Sequence, residues 1–326
     1  MTPRAAELAG ELRVVSLPMR VRFRGVTERE VGLIEGPEGW GEFGAFPEYP
    51  PPEAARWLAA ALESAYAVWP PSVRDSVPVN ATVPAVSPDD VPGVLDRFDG
   101  CSTVKIKVAE RGEGPREDVD RVAAVRAHAG PRVKIRLDAN GGYSVDEAAH
   151  LLARLAAYDI EYVEQPCTRV EELRDLRIRL ARRGIDIPVA ADESIRRAED
   201  PLRVAREHAA DLLVVKVAPL GGVGRALEIV ADCGLPAVVS SALDSSVGIG
   251  AGVALAASLP RLDHACGLGT LALMDGDVTA DPMRPVAGVL RPRRVVVDPD
   301  LLSRYAVTPD RLAWWRQRVL ECAAHL

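Results

Sequence analysis

The sequence predicts an α/β fold: a parallel barrel of alternating strands and helices, with a smaller α+β cap built from both chain ends. Three observations carry this reading. From residue 79 onward, eight short strand-like runs alternate with helical patterns, the order of a parallel sheet closed on itself. The middle strands end in charged residues at nearly constant spacing. The repeat is absent before a proline-rich break at residues 70–78 and after residue 270.

The totals fit such a molecule. A chain of 326 residues can form one large barrel and a smaller unit. Its 48% hydrophobic and 27% charged residues are those of a soluble globular protein. A net charge of −7 argues against nucleic acid as a partner. Cys101, Cys167, Cys233, Cys266 and Cys322 are scattered, without a CxxC pair, so a reducing cytoplasm suits them. Residues 1–20 have no apolar core of signal-peptide type. The apolar run 247–259 is too short to span a membrane and reads as a buried helix.

In chain order, residues 13–18 and 29–35 read as strands, 36–39 as a turn and 53–68 as an alanine-rich helix. This α+β piece, residues 1–76, forms the first part of the cap. Residues 77–274 form the barrel, with strands at 79–83, 103–108, 133–138, 160–164, 188–192, 212–217, 237–241 and 264–267. Helices are expected between them, among them 116–128, 144–158, 170–182, 202–208, 224–233 and 246–258. An open doubly wound sheet would carry a glycine-rich fingerprint after its first strand, and none is present. Residues 275–326 complete the cap, with a possible strand at 293–297 and a terminal helix from Pro309 that contains Trp314 and Trp315.

The strand ends carry the chemistry. Lys105 and Lys107, Asp138, Glu164, Asp192 and Lys216 close successive strands, and from Lys107 the separations are 31, 26, 28 and 24 residues. One βα unit of a barrel takes roughly 30 residues, and barrel active sites lie at the C-terminal strand ends. Asp138, Glu164 and Asp192 are oxygen donors with no His or Cys beside them, which suits a hard cation such as Mg²⁺. Glu193 should point away from the site. Strand parity puts Arg136, Asp138 and Asn140 on one face, with Asn140 as a supporting residue or a simple loop cap.

Lys105 and Lys107 also share a face, where like charge lowers a lysine pKa and favours a general base; Lys105 could equally pair with a carboxylate. Lys216 comes from the opposite side of the barrel. Amines flanking a metal site suit removal of a proton α to a carboxylate. Ser240, Ser241 and Gly267 leave room and donors for a ligand. The turn Gly221-Gly222-Val223-Gly224 could hold a phosphate, though short glycine turns are common in βα loops.

With Thr103-Val104-Lys105-Ile106-Lys107, Arg136-Leu137-Asp138-Ala139-Asn140, Val163-Glu164-Gln165-Pro166, Ala191-Asp192-Glu193-Ser194 and Val215-Lys216, the chain resembles the enolase superfamily, in its muconate-lactonizing-enzyme-like group. The likeness extends to Gly39-Trp40-Gly41-Glu42 of the cap. It implies a modified (β/α)₇β TIM barrel with a split cap. It also implies Mg²⁺-dependent loss of water from 2-succinyl-6-hydroxy-2,4-cyclohexadiene-1-carboxylate, a lyase reaction of menaquinone biosynthesis. Lys107 would then be base and acid, and Lys216 would stabilise the enediolate by its charge. Asp138, Glu164 and Asp192 would hold Mg²⁺, for which Mn²⁺ could substitute, with Arg136 and Asn140 in support. Cap loops 21–25 and 46–49 would close over the substrate, and Arg22, Arg24 and Phe43 depart there from the family pattern. An N-acylamino acid racemase or dipeptide epimerase is the alternative, and a non-catalytic ligand-binding barrel a second one.

Overall fold

Strand β1 (Arg13–Phe23), preceded by helix α1 (Ala5–Glu11), pairs antiparallel with β2 (Val26–Gly36), and β2 with β3 (Gly39–Phe43). The computed structural model describes residues 5–23, 25–196 and 200–326, so Arg24 of the first cap loop lies outside the described residues. Both hairpin strands run longer than their sequence pattern predicts. Helix α2 (Pro51–Tyr66) starts on Pro51, whose missing N–H costs a helix nothing at its first turn. Its alanines let it lie directly on the hairpin. A Cβ at Gly41 would come within 1.9 Å of the Ala61 carbonyl oxygen, so this contact admits only glycine.

The barrel is a sheet of seven parallel strands among the described residues: β4 (Ala81–Val83), β5 (Thr103–Lys107), β6 (Lys134–Asp138), β7 (Ile160–Glu164), β8 (Val189–Ala191), β9 (Leu212–Val215) and β10 (Ala237–Val239). Between and around them lie α3 (Pro115–Ala129), α4 (Val145–Leu155), α5 (Val170–Arg182), α6 (Val223–Cys233) and α7 (Ser246–Ser258). The eighth stave is shorter than predicted, because glycines at 267 and 269 weaken it as a strand. It still closes the ring. Cys266 exchanges hydrogen bonds with Pro78 and Asn80 (2.7 and 2.9 Å), and Gly267 with Val239 and Ser241 (2.8 and 3.0 Å). The fold is therefore a modified (β/α)₇β barrel.

Alternation sorts the side chains. Ile106, Leu137, Val163 and Val189 belong to the main core, whereas Tyr162, Ala190, Leu212, Val214 and Val238 form a separate small cluster. Their parity places that cluster inside the barrel. Helix α7 is buried on every side, as its apolar run predicts.

Two predicted elements fail, one for a local reason and one through a distant partner. Helix 202–208 shrinks to Arg203–Arg206, since His208 takes a left-handed φ of 51°. Residues 293–297 form no strand. Arg294 instead stacks its guanidinium 3.5 Å from the Trp69 ring centroid and donates to the Ala67 carbonyl, which ties the segment to the end of α2. The short strand nearby is Val289–Leu290, paired with Val77–Pro78.

The chain's last helix, α8 (Pro309–Ala323), docks on the cap. Trp315 is fully buried, its indole N–H donates to Glu30 at 2.8 Å, and its ring meets Phe43 edge-on at 5.5 Å. Arg318 donates to the carbonyls of Phe46 and Tyr49. Phe43 is thus a core residue of the cap rather than part of the substrate loops.

Candidate active site

Lys107, Asp138 and Glu164 are the last residues of β5, β6 and β7, and Asp192, Lys216 and Ser240 directly follow β8, β9 and β10. The register sets Lys107 beside Asp138 and Asp138 beside Glu164. One end of the barrel thus collects every predicted strand-end residue. A cavity of about 30 Å³ sits there, lined by Lys105, Asp138, Asn140, Asp192, Lys216, Ser240, Ser241 and Gly267. Phe23 of the cap and Thr82, Arg196, Ala242, Leu243 and Thr270 of the barrel complete it. Phe23 lies in the predicted cap loop, so that loop does reach the site; Arg22 is exposed.

The charges interlock. Lys105 Nζ donates to Asp138 Oδ2 (2.8 Å) and to both Glu164 oxygens (3.1 and 3.2 Å). Lys216 Nζ donates to Asp192 Oδ2, and Arg196 Nε to Asp192 Oδ1 at 3.0 Å. Burial works against the Lys105 ammonium, but the Asp138 and Glu164 charges hold its pKa above the ordinary lysine range. Lys105 is therefore a paired cation, and mutual repulsion with Lys107 does not make it a base. Burial likewise opposes ionisation of Asp138 and Asp192, yet both stay below the usual carboxylate range. Lys105 and Lys107 act on the first, and Arg196 and Lys216 on the second. Glu164 goes the other way, up to about 8, through burial and the nearby charge of Asp138.

Lys107 reaches the site through its partner. Its Nζ donates to Asn140 Oδ1 at 2.6 Å, and Asn140 Nδ2 donates to Glu193 Oε1 at 3.2 Å. Asn140 does not owe this place to strand parity: β6 ends at Asp138, and Asn140 has a φ of 44°. Ala109 and Gln165 are left-handed at the neighbouring strand ends too. Such conformations cost of order 1–3 kcal/mol each and persist where the surroundings enforce them. Glu193 is turned towards Asn140 and Arg196 rather than away from the site.

Arg136 lies deeper. It is fully buried below the carboxylates, 4.8 Å from the Tyr162 ring centroid, and donates to Glu161 Oε2 (2.5 Å), Asn80 Oδ1 (3.1 Å) and the Ala265 carbonyl (2.6 Å). It supports the barrel floor and does not line the cavity.

Ser241 Oγ bonds the Gly267 carbonyl (2.9 Å) and Thr270 Oγ1 (2.7 Å). A Cβ at Gly267 would stand 2.5 Å from Ser240 Oγ, so the glycine makes the space that the sequence suggests. The glycine turn at 221–224 has an internal anion. Glu63 of α2 accepts from the Val223 N–H (2.5 Å) and the Gly224 N–H (2.9 Å). A cap carboxylate thus fills the place where a phosphate could bind.

Sequence reading missed Tyr162, Arg196 and Thr270. Tyr162 was accessible, since it shares the parity of Glu164. Arg196 lies in a short helix after Asp192, and Tyr49 of the second cap loop receives a hydrogen bond from it at 3.1 Å. That convergence has no local signal.

The three carboxylates suit a divalent ion in donor chemistry: all are oxygen ligands on adjacent staves, and burial together with their mutual repulsion raises Glu164, a strain that a cation would relieve. Among the described residues, no three His, Cys, Asp or Glu side chains are gathered as a ready-made metal cage. Here the lysine ammonium groups hold the carboxylate oxygens.

Comparison with known proteins agrees with this architecture. Residues 94–295 match the family described as enolase C-terminal domain-like, and residues 14–65 that described as enolase N-terminal domain-like. The chain is 57% identical to the o-succinylbenzoate synthase of Mycolicibacterium smegmatis over 323 residues, 99% of this chain and 98% of the relative. It is 54% identical to that of Mycobacterium tuberculosis, covering 98% and 96%. In fold it is similar to muconate lactonizing enzyme from Pseudomonas fluorescens (TM-score 0.77, 20% identity, 91% and 98% covered). It is likewise similar to N-succinyl Arg/Lys racemase from Bacillus cereus (TM-score 0.74, 19% identity, 91% and 97% covered). By its barrel, its ring of charged strand ends and these full-length matches, the chain belongs to the enolase superfamily and, within it, to the o-succinylbenzoate synthase family.

Proposed function

We propose that the protein converts 2-succinyl-6-hydroxy-2,4-cyclohexadiene-1-carboxylate to 2-succinylbenzoate and water, in menaquinone biosynthesis. The observation that supports this most is the pair of amines, Lys107 and Lys216, set four strands apart around a buried carboxylate trio. Lys107 takes the proton α to the substrate carboxylate onto Nζ. The electron pair moves into an enediolate, which the ammonium of Lys216 faces from the other side. Lys107 then gives its proton to the departing hydroxyl, and water leaves as the ring becomes aromatic. Asn140 orients Lys107, while Lys105 and Arg196 orient the carboxylates.

Asp138, Glu164 and Asp192 would hold Mg²⁺, with Mn²⁺ as a substitute. Bound there, the ion supplies positive charge for the carboxylate end of the substrate. Ser240, Ser241 and Gly267 face the succinyl chain. The same reading divides the chain into cap residues 1–76 and 275–326 and barrel residues 77–274. Its five free cysteines suit the cytoplasm; separately, no described helix is long and apolar enough to cross a membrane.

Two amines could also exchange an α-proton between faces, as a racemase does. Assaying purified protein on the cyclohexadiene and on N-succinyl amino acids separates the two. Dehydration should have the higher kcat/KM, and a faster racemisation would replace this reading.

A further inference from the structure

Ser240 and Ser241 leave β10 bonded to the barrel at Val215, Gly267 and Thr270, and the segment that follows them is held by the cap. Leu243 in this segment is buried with a φ of 60°, a conformation that a leucine keeps only under constraint. Two charged cap side chains supply the constraint. Arg29 of β2 donates through Nε to the Leu243 carbonyl at 3.0 Å and through Nη2 to the carbonyls of Gly44 and Ala242. Glu42 of β3 accepts from the Ser245 N–H (3.2 and 3.1 Å), Ser245 Oγ (2.5 Å) and the Gly248 N–H (3.1 Å). It thereby caps the N-terminus of α7 from another part of the chain.

Asp244 is buried beside it, and its Oδ2 accepts from the Ala242 N–H at 3.0 Å. A Cβ at Gly248 would stand 2.6 Å from Asp244 Cβ and 3.2 Å from Glu42 Cδ, so the two carboxyl groups crowd one glycine. Burying such groups is costly unless they do something there. The proposed chemistry uses neither.

We propose that Glu42 is a positioning residue for substrate binding: from the cap, it fixes the segment that presents Ser240 and Ser241 to the carboxylate-bearing side chain of the substrate. This rests on the reading that those serines meet the substrate. The cap then contributes to specificity through its folded body as well as through its loops.

The test is a double-mutant cycle of Glu42→Ala with Ser240→Ala, Ser241→Ala in the full chain, with kcat and KM measured separately. Glu42→Ala should raise KM at least tenfold and change kcat by less than threefold. Glu42→Gln, which keeps one acceptor oxygen, should recover part of the loss. In the double-serine background, Glu42→Ala should add less than threefold. An unchanged KM, or losses that multiply in full, overturns the proposal. If Glu42→Ala does not fold, Glu42→Gln decides in its place: a KM rise of at least threefold that vanishes in the serine background is expected, and a wild-type KM overturns the proposal. If the serine variant itself leaves KM unchanged, the reading of the serines fails instead, and the proposal with it.

Discussion

At the scale of single residues, Lys107 and Lys105 show how two lysines one residue apart come to differ. Lys105 is locked between Asp138 and Glu164, whereas Lys107 meets an amide oxygen. Lys107→Ala should therefore lower kcat by at least a thousandfold while leaving thermal unfolding and metal affinity near wild type. Retained turnover removes Lys107 from the reaction. On the barrel floor, Glu161 pairs with the buried Arg136. Burial would raise the Glu161 pKa, but a hydrogen bond from His264 and the charge of Arg136 hold it at about 2. A depressed carboxylate stabilises the fold above its ordinary pKa of 4.5 and loses that contribution as pH falls towards 2. Glu161→Gln should cost on the order of 3 kcal/mol near pH 7, since it strands a buried guanidinium. In urea titrations, the gap to wild type should close between pH 4.5 and 2.

At the scale of elements, the barrel staves were readable because each obeys a local rule. Alternation marks inside from outside, and the repeat length sets which end the charges share. Elements that depend on a distant partner were not readable. The segment 293–297 has strand composition, but Trp69 claims Arg294. The 221–224 turn has the composition of an anion site, and the anion turns out to be Glu63, about 160 residues away in sequence. Glu63→Ala should therefore destabilise the protein by about 1–2 kcal/mol, a normal loss for a helix cap. Inorganic phosphate should not restore it. Thermal unfolding with and without phosphate checks both statements, and rescue by phosphate would show that the turn binds free anions.

At the scale of the whole molecule, the cap and the barrel share one site. Phe23 lines the cavity from above, Tyr49 meets the Arg196 side chain that holds Asp192, and Arg29 and Glu42 hold the serine segment. The cavity of about 30 Å³ leaves room for little more than water. Chelation should abolish activity, and Mg²⁺ or Mn²⁺ should restore it. Isothermal titration should give one divalent-ion site per chain, lost in Asp192→Asn. Full activity after exhaustive chelation would remove the metal from the mechanism.

The sequence alone determined the barrel, the polar end of its staves and the identity of the lysines and carboxylates there. Those properties follow from period-two alternation and a repeat of nearly fixed length, both of which are local. Only the tertiary structure decided which charge faces which: that Lys105 is ion-paired with Asp138 and Glu164, that Arg136 lies below the cavity, that Asn140 turns back to Lys107, and that a carboxyl from the cap caps α7. Pairings of that kind depend on chain segments up to some 200 residues apart, as Glu42 and Ser245 are. No spacing rule reaches that far, because the energy of a buried charge is set by whatever the finished fold places beside it.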